Sequence, residues 1–180
     1  MQTRFLIITG MSGAGKTQVV RTLEDLKYFC IDNLPAALIP KFAELCRQTS
    51  ESNVALVVDV RGGQFFDKLL QVLDEIKASG QKYELLFLDA DDATLVRRYK
   101  ETRRRHPLGD SETLLDNLAQ ERDLLAPLLE KSTYIINTTD LNSSELKNRV
   151  RELFSTDNER ERMGIVVRSF GFKYGLPLDS

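Results

Sequence analysis

The sequence predicts an α/β protein of three layers, a mostly parallel five-stranded sheet between helices, and three observations carry that expectation. Short apolar runs alternate with amphipathic segments along most of the chain, the pattern of consecutive strand-helix units. The first run, Phe5-Leu6-Ile7-Ile8, leads directly into Gly10-Met11-Ser12-Gly13-Ala14-Gly15-Lys16-Thr17, which satisfies G-x-x-x-x-G-K-[ST] at every required position. Two later runs, Val54-Ala55-Leu56-Val57-Val58 and Leu85-Leu86-Phe87-Leu88, each end in an aspartate, the form of a strand that delivers a metal-associated carboxylate beside such a loop. Together they point to the kinase-like branch of the P-loop nucleoside triphosphatase fold.

A loop that wraps a polyphosphate turns its backbone N–H groups inward, and Gly10, Gly13 and Gly15 let the chain come close to the oxygens. Met11, Ser12 and Ala14 complete the loop. Lys16 is placed to reach the β- and γ-phosphates, the Thr17 hydroxyl to ligate Mg²⁺, and the helix that follows, with Val19, Leu23 and Leu26 on one face, adds its N-terminal dipole. The ligands read from this stretch are ATP or GTP with Mg²⁺.

Tyr28-Phe29-Cys30-Ile31 reads as a second strand that Asp32-Asn33-Leu34-Pro35 stops. Asp32 has two readings: a carboxylate that holds or deprotonates an acceptor hydroxyl, or, with Asn33, a cap for the helix begun near Pro35. That helix, Ala36 to Arg47, is read with Leu38, Phe42 and Leu45 facing inward. The third strand ends in Asp59, the candidate Walker B carboxylate and second metal-side residue. Asp89 has the same form one strand later, and Asp59 is preferred because the third strand neighbours the first in this topology. Arg61, before Gly62-Gly63, reads either as a bidentate phosphate clamp or as a surface ion pair.

Phe65, Leu69, Val72 and Ile76 form an amphipathic helix ended by Ser79-Gly80, and a fourth strand spans Tyr83 to Asp89. From Arg97 to Arg105 there are six cations in nine residues. Three readings stay open for this run: a lid in which Arg97, Arg103, Arg104 and Arg105 supply transition-state charge, a nucleic-acid contact, or a solvated helix face. Asp110 to Lys131 reads as a long helix with Leu114, Leu118, Leu125 and Leu128 at helical spacing, and Tyr134-Ile135-Ile136 as the fifth strand. Asn137-Thr138-Thr139-Asp140 lies where a base would be contacted, and it resembles a guanine-reading motif without the lysine, so Asn137 is a candidate nucleotide contact that leaves ATP or GTP undecided. Asn142-Ser143-Ser144-Glu145 resembles a capping box opening a last helix with Leu146, Val150 and Leu153 on one face.

At 180 residues the chain accommodates one sizeable α/β domain and a short appendage. A net charge of -2 gives no global case for binding nucleic acid or a membrane. No apolar run approaches the ~20 residues that span a bilayer. Cys30 and Cys46 lack metal-type spacing, and with no signal peptide they point to a reduced, cytoplasmic compartment. Residues 1–155 are read as the nucleotide-binding domain, 156–162 as a linker, and 163–180, strand-like and aromatic, as the start of another domain.

The blocks GMSGAGKT, YFCIDNLP, DVRG, FLDADDATLVRRYKETRRRHPL and MGIVVRSFGFKYGLP, in this order, resemble the bacterial P-loop family of YvcJ and the RNase adapter protein RapZ, over essentially the whole chain. The family's loop usually ends in serine where this chain has Thr17, an equivalent hydroxyl. The resemblance implies binding and slow hydrolysis of ATP or GTP, with Gly10 to Thr17 as the phosphate site and Asp59, Val60, Arg61 and Gly62 as a second nucleotide-contacting segment. It also implies a C-terminal domain, beginning near Met163 and otherwise absent here, through which RNA and protein partners would be handled. Three functions follow: a regulatory nucleotide switch with weak triphosphatase activity, a small-molecule kinase using Asp32 and the arginine lid, and a nucleic-acid module in which the loop is a sensor. Oligomeric state is left open by all three.

Overall fold

In the computed structural model, which describes residues 4–48, 53–58, 63–80, 82–102 and 113–155, five strands form one parallel sheet in the order β2-β3-β1-β4-β5. β1 (Arg4–Gly10) is central, β3 (Asn53–Val57) and β4 (Glu84–Asp89) flank it, and β2 (Phe29–Asp32) and β5 (Tyr134–Asn137) are the edges. Leu6 pairs with Ala55 on one side, and Ile8 pairs with Leu86 on the other. A parallel sheet covered on both faces needs apolar residues at successive positions rather than alternate ones. Accordingly Phe5 to Ile8 and Leu85 to Leu88 are at most 2% exposed.

Helix α1 (Lys16–Asp25) connects β1 to the far edge strand β2, whereas α2 (Ile39–Gln48), α3 (Gly63–Ala78), α4 (Asp92–Thr102) and α5 (Leu114–Glu130) lie in connections that run back across the sheet. Right-handed crossovers in opposite directions put α1 on one face and the other four on the opposite face. The packing agrees: α1 lies against α6 (Ser143–Phe154), α3 against α2 and α5, and α4 against α5. The expected three layers and kinase-type strand order are both present.

The second helical segment differs from its expected form. A 3₁₀ turn at Ala36–Leu38 precedes α2, and the buried residues are Ala36, Ile39, Ala43 and Cys46, while Leu38 and Leu45 are exposed at 52% and 46%. Two apolar stripes run along this segment one residue apart. The stripe containing Ala43 and Cys46 faces the core, with α2 packed on α3, and Phe42 stacks with Phe29 of the edge strand at 6.5 Å. The last helix opens as expected, but the third buried residue of its inner face is Phe154, while the expected Leu153 is only half-buried. Asn142 accepts from the backbone of Ser144 and Glu145, the Glu145 carboxylate returns to the Asn142 N–H, and Leu146, Val150 and Phe154 are buried.

At the amino ends of the strands Arg4 is held by Glu84 and lies over the Phe154 ring, leaving the carboxyl ends to carry the site. The linker expected at 156–162 and the further segment at 163–180 lie outside the described residues, as do 103–112, which carry most of the expected arginine lid.

Candidate phosphate-binding site

The loop from Gly10 to Gly15 leaves the carboxyl end of β1 and closes at the first turn of α1. Gly10, at φ 133°, passes so close to β4 that a Cβ would lie 2.1 Å from the Leu88 carbonyl oxygen, which accepts the Met11 N–H at 2.9 Å. Gly15 takes φ 102° at the N-cap of α1, and a Cβ there would stand 3.0 Å from the Leu146 side chain of α6. Both positions therefore require glycine, one for backbone approach and the other for a left-handed turn.

The carbonyls of the loop are held from outside. Arg98 of α4 donates to the Gly13 carbonyl at 3.1 Å and to the Thr138 hydroxyl and carbonyl at 2.9 and 2.7 Å. The buried Thr138 hydroxyl shares its own proton between the carbonyls of Ala14 and Asp89, each 3.1 Å away. In a planar trans peptide the N–H points opposite to the C=O, so a carbonyl of Ala14 turned to Thr138 aims the Gly15 N–H into the loop. The Ala14 N–H closes across the loop onto the Met11 carbonyl at 3.0 Å. Among the described residues no protein group accepts from the N–H of Gly15 or Thr17. These inward donors, at a helix N-terminus with its partial positive charge, constitute an anion site.

Lys16 Nζ donates to the carbonyls of Gly10, at 2.6 Å, and Met11, at 3.2 Å, so its charge rests over the first half of the loop. Thr17 is exposed in the first turn of α1. No group of three metal-ligating side chains occurs among the described residues. A Mg²⁺ held chiefly by phosphate oxygens and water needs only one or two protein ligands, which suits the exposed Thr17.

Asp89 and Asp59 were expected to compete for that role. Since β3 and β4 both border β1, adjacency does not separate them, and the distinction comes from α5. Arg122 grips both Asp89 oxygens at 2.9 and 3.1 Å, and also the Ala90 carbonyl and Asp92, while Asp89 Oδ1 accepts the Ala90 N–H. Burial lowers the affinity of Arg122 for its proton, yet its bonds to Asp92 and Asp89 more than offset this and leave the guanidinium above its ordinary pKa. Asp89 is thus engaged in a structural clamp. Asp91, whose Oδ1 accepts the Thr94 N–H at 2.7 Å, caps α4, and that bonding holds its carboxyl below the usual range. The chain of β3 stays aligned with β1 through Val58, whose N–H reaches the Ile8 carbonyl at 2.9 Å; Asp59, Val60, Arg61 and Gly62 come next in sequence and lie outside the described residues, as do Arg103, Arg104 and Arg105.

Asp32 is exposed at the carboxyl end of β2, and the 3₁₀ turn after Pro35 has no side-chain cap, so the capping role drawn for Asp32 and Asn33 is not used. Asn137 is exposed and turns its Oδ1 to the Thr139 N–H at 2.9 Å, while Arg97 is exposed on α4.

Three residues that bond the loop from other elements were given no such role by the sequence: Arg98 within the basic run, Thr138 within the tetrapeptide read as a base contact, and Glu121. Glu121 of α5 is only 2% exposed, and its carboxylate accepts the Ser12 N–H at 3.1 and 3.2 Å and the Ser12 hydroxyl at 2.6 Å. A signal existed, because Glu121 falls in the apolar stripe of Leu118, Leu125 and Leu128, where a charge is out of place unless paired.

Residues 3–158 match the model of the RapZ-like N-terminal domain. Curated relatives include proteins named nucleotide-binding protein from Clostridium botulinum strain Loch Maree and from Desulforudis audaxviator, each 51% identical over 98% and 99% of this chain respectively. The chain spans 61% of the length of these relatives. Among solved structures, shikimate kinase from Bacteroides thetaiotaomicron aligns with a TM-score of 0.57 at 21% identity, covering 83% of this chain and 97% of that one. A shikimate kinase from Acinetobacter baumannii gives 0.56 at 18%, covering 90% and 96%. At such identities the likeness is one of fold.

Proposed function

The chain belongs to the RapZ-like N-terminal domain family, and on that premise we propose that it binds a nucleoside triphosphate with Mg²⁺ at Gly10 to Thr17 and hydrolyses it slowly as a regulatory signal. The observation that carries this reading is the loop itself: carbonyls tied outward by Arg98 and Thr138, the Gly15 N–H turned inward, and Lys16 over the first half. Gly15, Lys16 and Thr17 N–H groups cradle the phosphates, and Lys16 leaves the carbonyls of Gly10 and Met11 for the β- and γ-oxygens. Thr17 and, from the sequence, Asp59 hold the Mg²⁺, which neutralises charge on the phosphate oxygens. Asp59 is preferred over Asp89 because Arg122 already engages Asp89. Val60, Arg61 and Gly62 contribute a second contact, and Arg103 and Arg104 close over the phosphates during hydrolysis.

Asn137 spends its Oδ1 on Thr139, and Thr138 is committed to the loop, so neither selects a base. ATP and GTP are therefore both retained. An RNA or protein partner would act on this nucleotide state. The test is titration of ATP and GTP, with and without Mg²⁺, into wild type and Lys16→Ala, with phosphate release measured in parallel.

A second reading, a small-molecule kinase, is favoured by one observation: Asp32 is exposed and uncommitted to helix capping at the carboxyl end of β2, where an acceptor hydroxyl would be met. A phosphorylated product that vanishes with Asp32→Asn would select it.

A further inference from the structure

Glu121 has no part in the function as proposed so far, yet among the described side chains outside the loop it makes the shortest hydrogen bond to it. A buried carboxylate is costly unless its oxygens are bonded, and these oxygens are bonded to Ser12, at a position where the phosphate-loop pattern accepts any residue. Lys16 Nζ rests on the carbonyls of Gly10 and Met11, immediately before Ser12. The cation that reaches the β- and γ-phosphates and the Glu121 anion therefore share one half of the loop. A γ-phosphate brought to that half meets a like charge in a place sheltered from water, where repulsion is least screened.

Resting on the triphosphate reading above, we propose that Glu121 is the residue by which this loop distinguishes a nucleoside triphosphate from a diphosphate. With a diphosphate the carboxylate stays on Ser12. With a triphosphate the γ-phosphate displaces it from Ser12, and α5 carries the change away from the loop. The path is short, because the neighbouring Arg122 is anchored on Asp89, Ala90 and Asp92 at the end of β4. Glu121 acts through position and charge, and takes no part in bond making.

The experiment uses the 180-residue chain, Mg²⁺, ADP and GDP, and the non-hydrolysable triphosphate analogues of both. Glu121→Gln keeps the shape and an acceptor for Ser12 while removing the charge. For the base that binds better, triphosphate affinity is expected to rise about fivefold or more while diphosphate affinity stays within about twofold. An equal change in both, or weaker triphosphate binding, overturns the proposal. Ser12→Ala, which deletes the 2.6 Å bond and keeps the N–H, is expected to shift the same ratio in the same direction by less, and decides the matter alone if Glu121→Gln does not fold. Hydrogen exchange adds a readout that a purely structural carboxylate would not move: α5 amides change on adding triphosphate to wild type and not on adding diphosphate, and identical patterns count against the proposal. If wild type binds no nucleotide, this inference and the function beneath it fall together; if wild type binds and the ratio in Glu121→Gln is unchanged, this inference alone falls.

Discussion

Arg122 on α5 holds both carboxylate oxygens of Asp89 at the end of β4, across 33 residues of chain, and on that pairing rests the proposal that Asp59 rather than Asp89 serves the metal. Asp89→Asn is expected to lower stability by about 1 kcal/mol, the scale of a partly exposed ion pair, and to leave the Mg²⁺ dependence of nucleotide binding intact. Asp59→Asn is expected to remove most of the benefit of Mg²⁺. Thermal melts and titrations with and without Mg²⁺ check both, and the reverse pattern would reassign the metal to Asp89.

Gly15→Ala tests the loop geometry. Alanine at φ 102° is strained, and its Cβ meets Leu146 at 3.0 Å, so a loss of about 1–3 kcal/mol is expected together with a clear loss of nucleotide affinity. Leu146→Ala costs stability by itself because Leu146 is buried, so relief of the contact is expected as a favourable coupling between the two substitutions, with the part due to φ remaining. A double-mutant cycle by chemical denaturation separates the two.

The capping box of α6 is expected to contribute independently of the ligand. Asn142→Ala removes the acceptor for the Ser144 and Glu145 N–H groups and should cost about 1 kcal/mol, seen as a lower Tm with unchanged nucleotide affinity. A change in affinity would mean that α6 positions the loop through Leu146 more delicately than its packing indicates.

Burial pushes the Cys30 thiol up to about 11, with Glu24 adding to the effect. A raised thiol pKa keeps the group neutral below that value, so thiolate appears only as pH climbs toward it. Alkylation of folded protein at pH 8 should be slower at Cys30 than at an ordinary exposed cysteine and accelerate toward pH 11; mass spectrometry of the labelled peptide gives the rate.

How much of this was legible in the sequence follows from the physics of each part. The loop and the buried strands were readable because a phosphate cradle needs glycine at fixed spacing, and a doubly covered parallel strand needs consecutive apolar residues. The capping box at Asn142 was readable for the same reason, its signal being local. The face of α2 was misread because two apolar stripes lie one residue apart, and only tertiary packing selects the one with Ala43 and Cys46. Arg98 was hidden in a run of cations, where nothing local distinguishes the one that reaches Gly13 from exposed Arg97. The bond from Glu121 to Ser12 spans 109 residues and depends on how α5 is laid across the sheet; the sequence carried only its trace, a charge in an apolar stripe.

The central claim is that Gly10 to Thr17 holds a nucleoside triphosphate by its backbone donors and Lys16. Calorimetric titration of wild type and Lys16→Ala with Mg²⁺ and the non-hydrolysable analogues of ATP and GTP addresses it most directly. Saturable binding of at least one analogue by the wild type, weakened about tenfold or more in Lys16→Ala, is the expected result. Equal affinity in the two proteins would contradict it.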